Sequence, residues 1–172
     1  MKRSALLLFS LLLLPVAFGV AQPTLYGTTR GGGRHNMGTA YKYEVGTTTL
    51  QRLADFSIIR EGAGPFAALT PNGEDFVGAC ISGGEEDCGT VYRIGSNGDR
   101  FTLVKDFGDD DADGLGPNAV LISTDGRYYG TCRYGGDSYG GVIYRMDADG
   151  SSFTTLRHLN RETDGDEPVV SI

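Results

Sequence analysis

One sequence unit occurs three times along the chain, and a repeat of fixed period limits the fold more than any single motif does. The copies begin LYGTTRGGG, FVGACISGG and YYGTCRYGG, and their first shared glycines are Gly27, Gly78 and Gly130, 51 and 52 residues apart. A glycine pair, a further glycine and a tyrosine follow at constant offsets, and the tyrosines are Tyr41, Tyr92 and Tyr144. The chain is therefore predicted to be an array of units of about 50 residues.

Each unit contains four short runs of apolar residues separated by turn residues. In GTVYRI the side chains of Thr90, Tyr92 and Ile94 alternate with their neighbours, as in a strand with one buried face. Asn97-Gly98 and Asp149-Gly150 predict two-residue hairpin turns, because these dipeptides tolerate positive φ. With 27 glycines in 172 residues and no three-residue period, the composition indicates repeated turns.

The fourth run of each unit is less regular. Phe101, Val104 and Phe107 break the alternation, which predicts either a bulge or burial on both faces. A helix would also fit this spacing, but the flanking glycines and neighbouring β-branched residues favour a strand. The predicted fold class is therefore all-β, a β-propeller-like array of four-stranded repeats.

The two ends of the array do not show whether it closes into a ring. Complete units are expected from Gly64 to Phe107 and from Gly116 to Leu159. The unit from Leu25 to Phe56 lacks a leading strand, and the final PVVSI resembles a leading strand without a unit. Joining these ends would give three blades, fewer than the four to eight of most propellers. The favoured interpretation is an incomplete ring, a fragment of a larger propeller; self-association and another way of stacking are the alternatives.

Residues 1–21 have the pattern of a secretory signal peptide, and residues 22–172 form the predicted repeat domain. Lys2 and Arg3 precede an apolar run from Ala5 to Val20, and cleavage is expected after Ala21. An uncleaved anchor is the alternative, disfavoured because the run is short for a span. No second long apolar stretch follows, so no transmembrane segment is expected in the mature chain, and localisation is predicted as secreted or at the cell surface. The net charge of −7 disfavours nucleic acid as a partner.

The segments LYGTT…GG…GTAY, FVGAC…GG…CGTVY and YYGTC…GG…GVIY resemble the GloVer tandem-repeat family of exported bacterial proteins. The resemblance extends over essentially the whole mature chain. It implies a propeller carried by a secreted or cell-surface polypeptide, with no established reaction and no catalytic residues to transfer. Such arrays usually contain more copies than this chain does.

Three cysteines become relevant if the chain is exported, because export permits disulfides. Cys80 and Cys88 lie at the two ends of the loop CISGGEEDC, where facing strands would bring them to bonding distance. A Cys80–Cys88 disulfide is therefore predicted. Cys132 occupies the offset of Cys80, but Gly140 stands where its partner would be, so Cys132 is expected to be free or paired outside the chain.

The stretch DFGDDDADGLGP contains the only candidate metal site. Asp109, Asp111 and Asp113 followed by glycine resemble the start of many calcium loops, and calcium prefers several carboxylate oxygens. An EF-hand would need a glutamate where Val120 stands, so only a shorter calcium loop remains. The sister loops SIIREGAGP and NRETDGDEP lack the extra acids. A solvated acidic turn is the favoured interpretation, and calcium is the one cofactor considered.

Catalytic motifs are absent from the sequence. It contains no G-x-S-x-G, no H-E-x-x-H and no repeated histidine cluster. The predicted function is an exported, non-enzymatic module that binds an unknown protein or glycan or is displayed at the surface. The alternatives are a secreted carbohydrate-active hydrolase that uses paired acidic residues and a structural fragment that self-associates through open sheet edges. The repeated tyrosines are assigned to the core or to blade interfaces, with sugar stacking as the less favoured role.

Overall fold

The glycine-marked turns fold the chain back on itself into successive antiparallel strands. The computed structural model describes residues 22–108 and 110–169, and its strands form three sheets. The first sheet contains β1 (Thr24–Thr29), β2 (Thr39–Glu44) and β3 (Leu50–Asp55). The second contains β4 (Ala63–Pro65), β5 (Thr70–Asn72), β6 (Asp75–Ser82), β7 (Thr90–Gly95) and β8 (Phe101–Asp106). The third contains β9 (Leu115–Ile122), β10 (Tyr128–Tyr134), β11 (Val142–Met146) and β12 (Thr154–His158).

Each sheet is a meander in which strands pair in chain order. The third sheet runs β9-β10-β11-β12, the second runs β4-β6-β7-β8 with β5 also on β6, and the first is β1-β2-β3. In the described part of the chain the first sheet therefore lacks the leading strand that the other two have, as the sequence predicts. A short 3-10 turn, Asp111–Asp113, precedes the third sheet. The all-β, propeller-like prediction is confirmed.

The irregular fourth run is a strand paired through a bulge. The register between the third and fourth strands shifts between Val91 and Tyr92 in the second sheet. The same shift occurs between Ala40 and Tyr41 in the first sheet and between Ile143 and Tyr144 in the third. The bulge is thus a property of the repeat, and it changes the direction in which the following tyrosine side chain points.

The predicted two-residue primed turns are wrong in detail. A type I′ turn needs positive φ at both central residues, but here only the glycines have it, Gly98 with φ 80° and Gly150 with φ 86°. The Gly98 amide donates to the Gly95 carbonyl at 2.9 Å, and the Gly150 amide donates to the Asp147 carbonyl at 2.9 Å. These connections are therefore longer than two residues. Each contains a tight turn that ends at the glycine.

Two apolar cores lie between adjacent sheets, and each is centred on a repeated tyrosine. Tyr92 of the second sheet is fully buried against Phe56 of the first, with ring centroids 5.0 Å apart. Tyr144 of the third sheet is fully buried against Phe107, with ring centroids 5.5 Å apart. The prediction that these tyrosines are core or interface residues is confirmed for both.

A glycine and a proline meet at each joint between successive units. A methyl group at Gly89 would lie 2.5 Å from Pro117 Cδ, and one at Gly38 or Gly141 would lie 2.7 Å from the corresponding proline. Only glycine therefore fits at this position, since each of the three also has φ near +100°. The contact between a hairpin glycine and the proline of the next unit thus serves sheet-to-sheet packing.

Candidate functional site

The loops that vary most between copies gather at one end of the array, here called the loop end. It consists of the hairpin loops 31–38, 83–89 and 135–141 and the connections 57–62, 110–114 and 160–166 between units. Antiparallel order requires this, because the hairpin after the second strand and the exit of the fourth strand lie at the same end. Backbone bonds tie the two sets together: the Gly84 amide donates to the Ile58 carbonyl at 2.9 Å, and the Gly64 amide donates to the Met37 carbonyl at 2.9 Å.

A side chain from the last strand of each sheet supports the hairpin loop of that sheet. Asp55 Oδ1 accepts the Arg34 amide at 2.7 Å, and Asp106 Oδ2 accepts the Glu85 amide at 2.9 Å. In the third sheet His158 Nδ1 accepts the Asp137 amide at 3.1 Å. This supporting role is not among the predictions made from the sequence. The signal available was an acceptor side chain 28 residues after the first glycine of every copy.

A groove of about 510 Å³ opens at the loop end between the first and second units. It is lined by His35, Met37, Asp55, Ser57, Ile58, Ile59, Arg60 and Glu61. Ile59 is 80% exposed and Ile58 is 39% exposed, although both are large apolar residues. The groove thus combines aliphatic walls with charged residues, and such a mixture can hold an apolar side chain and hydrogen-bond the backbone next to it.

The segment that carries Ile58 and Ile59 is held by its own hydrogen bonds. The amides of Arg60, Glu61 and Gly62 point to the Ser57 carbonyl at 3.2–3.4 Å, and the Ser57 hydroxyl donates to the Glu61 carboxylate. The Glu61 carbonyl in turn accepts the Thr90 hydroxyl of the second sheet at 2.9 Å. The isoleucines therefore lie on a loop that is held by hydrogen bonds, so binding would cost little conformational entropy.

The predicted calcium site falls largely outside what the structure describes. Asp109 lies outside the described residues, and only the backbone of Asp111 is described. Asp113 Oδ2 lies 3.4 Å from Lys105 Nζ, an ion pair that competes with a metal for this carboxylate. Within residues 22–108 and 110–169, no three His, Cys, Asp or Glu side chains are grouped to hold a metal ion. The calcium loop remains a prediction.

The predicted Cys80–Cys88 disulfide is not formed between these two described residues. Across the β6–β7 ladder Cys80 faces Thr90, and its side chain is a buried thiol. The Gly89 amide donates to the Gly83 carbonyl at 2.9 Å, so the loop is closed beyond Cys88. The Cys88 thiol lies 3.2 Å from the Glu86 carbonyl. The sequence spacing suggested facing cysteines, whereas the wide glycine hairpin places Cys88 within the loop.

The two buried thiols are poor nucleophiles. Burial raises the pKa of Cys80 to about 12, although a hydrogen bond with Thr90 acts in the opposite direction. Burial also raises the pKa of Cys132 well above its ordinary value, and the nearby Asp113 adds to this shift. Reactive cysteines need a lowered pKa and exposure, so neither thiol has the features of a catalytic group.

The predicted signal peptide, residues 1–21, lies outside the described residues. In the part of the chain that is described, no helix has the length and apolar character to cross a membrane.

Comparisons with known proteins agree with this architecture. The profile of a family described as Gloeobacter/Verrucomicrobia repeat matches residues 17–172. No curated protein sequence gives a significant match. A chain from the crystal structure of a nidogen/laminin complex superposes with a TM-score of 0.53 at 12% identity, covering 78% of this chain and 43% of that one. Putative TolB from Agrobacterium tumefaciens gives 0.51 at 17% identity, covering 80% and 50%.

The chain thus spans about half the length of these solved chains. At such low identities the likeness concerns the fold alone, and it supports the propeller-like arrangement of the three sheets.

Proposed function

Because the chain belongs to the Gloeobacter/Verrucomicrobia repeat family, we propose that it is a non-enzymatic module that binds a protein ligand through its loop end. Repeat arrays with propeller-like sheets commonly present loops from a rigid frame, and binding residues are concentrated on such loops. The frame here is the set of three sheets. The variable part is the group of hairpin loops and unit-to-unit connections.

The observation that carries the proposal is the exposed aliphatic pair in the groove. Ile59, with 80% of its surface exposed, stands beside Ile58 on a tied loop, with Met37 on the facing hairpin. Exposed apolar side chains with a polar rim are typical of protein interaction sites. Arg60, Glu61 and Asp55 supply that rim.

The lining favours a polypeptide over a glycan. No phenylalanine, tyrosine or tryptophan is among the described groove residues, and the sequence contains no tryptophan, so the usual platform for sugar stacking is not supplied. The similar chain solved in a nidogen/laminin complex is also part of a protein–protein assembly. An extended segment with one aliphatic side chain matches the groove best.

Export is the second part of the proposal. The basic start, apolar run and small residues before Gln22 have the order of a secretory signal peptide, and we place the mature protein outside the cytoplasm or at the cell surface. N-terminal sequencing of the protein recovered from a secreting host is expected to begin at Gln22. Recovery with Met1 intact would contradict export by cleavage.

Peptide selection tests the binding proposal. A random peptide library displayed on phage is selected against the purified protein, and the enriched peptides are titrated against wild type, Ile59→Asp and Leu103→Asp. Ile59→Asp is expected to weaken binding about tenfold or more, because a charge replaces a central apolar contact. Leu103, 41% exposed on β8, is the matched control and is expected to leave affinity unchanged.

Two results would contradict the proposal. The first is a set of selected peptides whose affinity is the same for wild type and Ile59→Asp. The second is hydrolysis of the selected peptides or of a polysaccharide panel by the wild-type protein, because turnover would make the chain an enzyme.

A further inference from the structure

The third sheet presents to solvent the face that the other two sheets bury. Val77 and Val91 of the second sheet are fully buried against the third. The residues at the same repeat offsets in the third sheet, Tyr129 and Ile143, are only partly buried. With Leu121, 37% exposed, they line an apolar groove of about 160 Å³. This surface is called the trailing face.

The first sheet shows the complementary pattern on its opposite side. Tyr92 and Ile94 of the second sheet are fully buried against the first sheet. Their counterparts in the first sheet, Tyr41 and Tyr43, are partly exposed. Leu50, which corresponds to the packed Phe101, is 58% exposed. This surface of the first sheet, which also includes Leu25 at 55% exposure, is called the leading face.

The internal joints show how a trailing face meets a leading face. The residue after each fourth strand packs on the tyrosine of the next sheet, Phe56 on Tyr92 and Phe107 on Tyr144. Leu159 has the same offset and is only partly buried. Its expected partner, a tyrosine at the offset of Tyr41, is missing from the described surroundings of the third sheet.

A glycine in each connection between units gives independent evidence that the trailing face of the third sheet is uncovered in the described chain. A methyl group at Gly62 would lie 2.7 Å from Cys80 Cβ, and one at Gly114 would lie 2.6 Å from Cys132 Cβ, so both glycines are packed on the following sheet. At Gly165, the third member of the series, nothing lies within 4 Å. Pro168 nevertheless already packs on Gly141, as Pro65 and Pro117 do on their glycines. Among the described residues, the third joint therefore has its glycine–proline contact but has no sheet packed on Gly165.

We propose that two copies of this chain assemble head to tail, the trailing face of each packing on the leading face of the other. The partner is a second copy, because at each internal joint the trailing face of one sheet is covered by the leading face of the next sheet. In the internal joint Tyr26 lies 4.3 Å from Phe76 between ring centroids. The same offsets place Tyr129 of one copy against Leu25 of the other.

Closure of the ring supports two copies over other numbers. Two arrays of three sheets make six, which lies within the four to eight blades of most propellers. A twofold axis relates the two joints, and two copies are the commonest closed assembly. The contact joins sheet faces, unlike the pairing of open edges that is one alternative from the sequence.

Light scattering coupled to size-exclusion chromatography tests this assembly on the purified protein. Wild type is expected to have the mass of two chains over a wide concentration range. Leu156→Asp changes an exposed residue, 48% accessible, whose counterparts Leu53 and Val104 pack on the following sheet, so it alters the trailing face. Leu50→Asp alters the leading face. Each variant is expected to be monomeric, because each changes both joints of the ring.

Ile59→Asp, in a loop on neither face, is the matched control and is expected to remain dimeric. Circular dichroism checks that every variant keeps its sheet content, which is expected because all three side chains are exposed within one chain. A monomeric wild type would overturn the proposal. So would a dimer that only one of the two face variants dissociates, because that result indicates contact between identical faces.

Discussion

At the scale of single residues, the buried tyrosines and cysteines of the joints set the chemical character of the core. Tyr92 and Tyr144 are completely buried, and their hydroxyls have no hydrogen-bond partner among the described residues. Burial raises the pKa of both well above the ordinary value, and the adjacent thiols of Cys80 and Cys132 add to the shift. These four groups therefore stay protonated in the folded protein and serve packing.

The pH dependence of stability follows from these raised pKa values. Cys80 has a pKa of about 12 in the folded protein against an ordinary 9.0, so the folded state holds the proton more tightly than the unfolded state. Its contribution to stability is complete below pH 9 and is lost as the pH rises from 9 towards 12. We expect the free energy of unfolding to fall by about 1 kcal/mol per pH unit in this range from Cys80 alone.

Urea unfolding across this alkaline range measures the effect. Cys80→Ala is expected to make the pH dependence shallower by about one proton, although its starting stability is lower because a buried side chain is removed. A free energy of unfolding that stays constant from neutral pH into the alkaline range would contradict the assignment.

At the scale of elements, the packing of one sheet on the next depends on the contact between the hairpin glycine of one unit and the proline of the next unit. Gly89 has φ +97°, and an added methyl group would lie 2.5 Å from Pro117 Cδ and 2.6 Å from the Cys80 carbonyl oxygen. Gly126 also has positive φ, +82°, but has nothing within 4 Å. Substitutions at Gly126 and Gly89 therefore separate the cost of backbone strain, which both positions have, from the cost of crowding at the joint, which only Gly89 has.

Gly126→Ala is expected to lower the free energy of unfolding by about 1–2 kcal/mol, the cost of a left-handed conformation for alanine. Gly89→Ala is expected to lower it by a further 1–3 kcal/mol or so, because the methyl group must displace atoms of the next unit. Urea denaturation of the two variants measures the difference. Equal losses would show that the close approach of Gly89 to Pro117 does not limit packing.

The sequence predicted what is periodic and local. The four runs of each copy, the missing leading strand of the first sheet and the irregular pairing of the run from Phe101 all follow from spacing and alternation. The bulge was one of two interpretations because apolar spacing cannot separate a bulge from burial on both faces. The primed turns failed because Asn97 and Asp149 adopt ordinary φ values and leave positive φ to glycine.

The parts that could not be predicted depend on contacts between distant residues. The support of Arg34 by Asp55 joins residues 21 positions apart; the shared offset of the acceptor side chains marks the position, but the sequence does not show which loop amide it supports. A Cys80–Cys88 bridge requires that the two cysteines close the loop, but Gly83 and Gly89 close it instead. Ile58 and Ile59 in SIIREGAGP carry no sequence signal of a binding role, since their exposure is known only once the sheets are placed.

At the scale of the whole molecule, the three sheets form a frame, and the two functions that we propose for it use different surfaces. The loop end carries the groove between the first and second units, where the lining favours a peptide ligand. The leading and trailing faces carry the apolar residues that internal joints bury elsewhere. Because these surfaces are separate, ligand binding and assembly can be altered independently, and Ile59→Asp serves as the test in one experiment and the control in the other.

Hydrogen exchange locates the ligand most directly. The protein is compared alone and saturated with the highest-affinity peptide from the phage selection, and backbone amide exchange is followed along the chain. Slower exchange is expected in residues 35–37 and 57–61, which border the groove, and no change is expected in the turns 72–75 and 123–127 at the opposite end. Protection confined to those turns, with residues 57–61 unchanged, would contradict the claim that this repeat array recognises its ligand through the loop end.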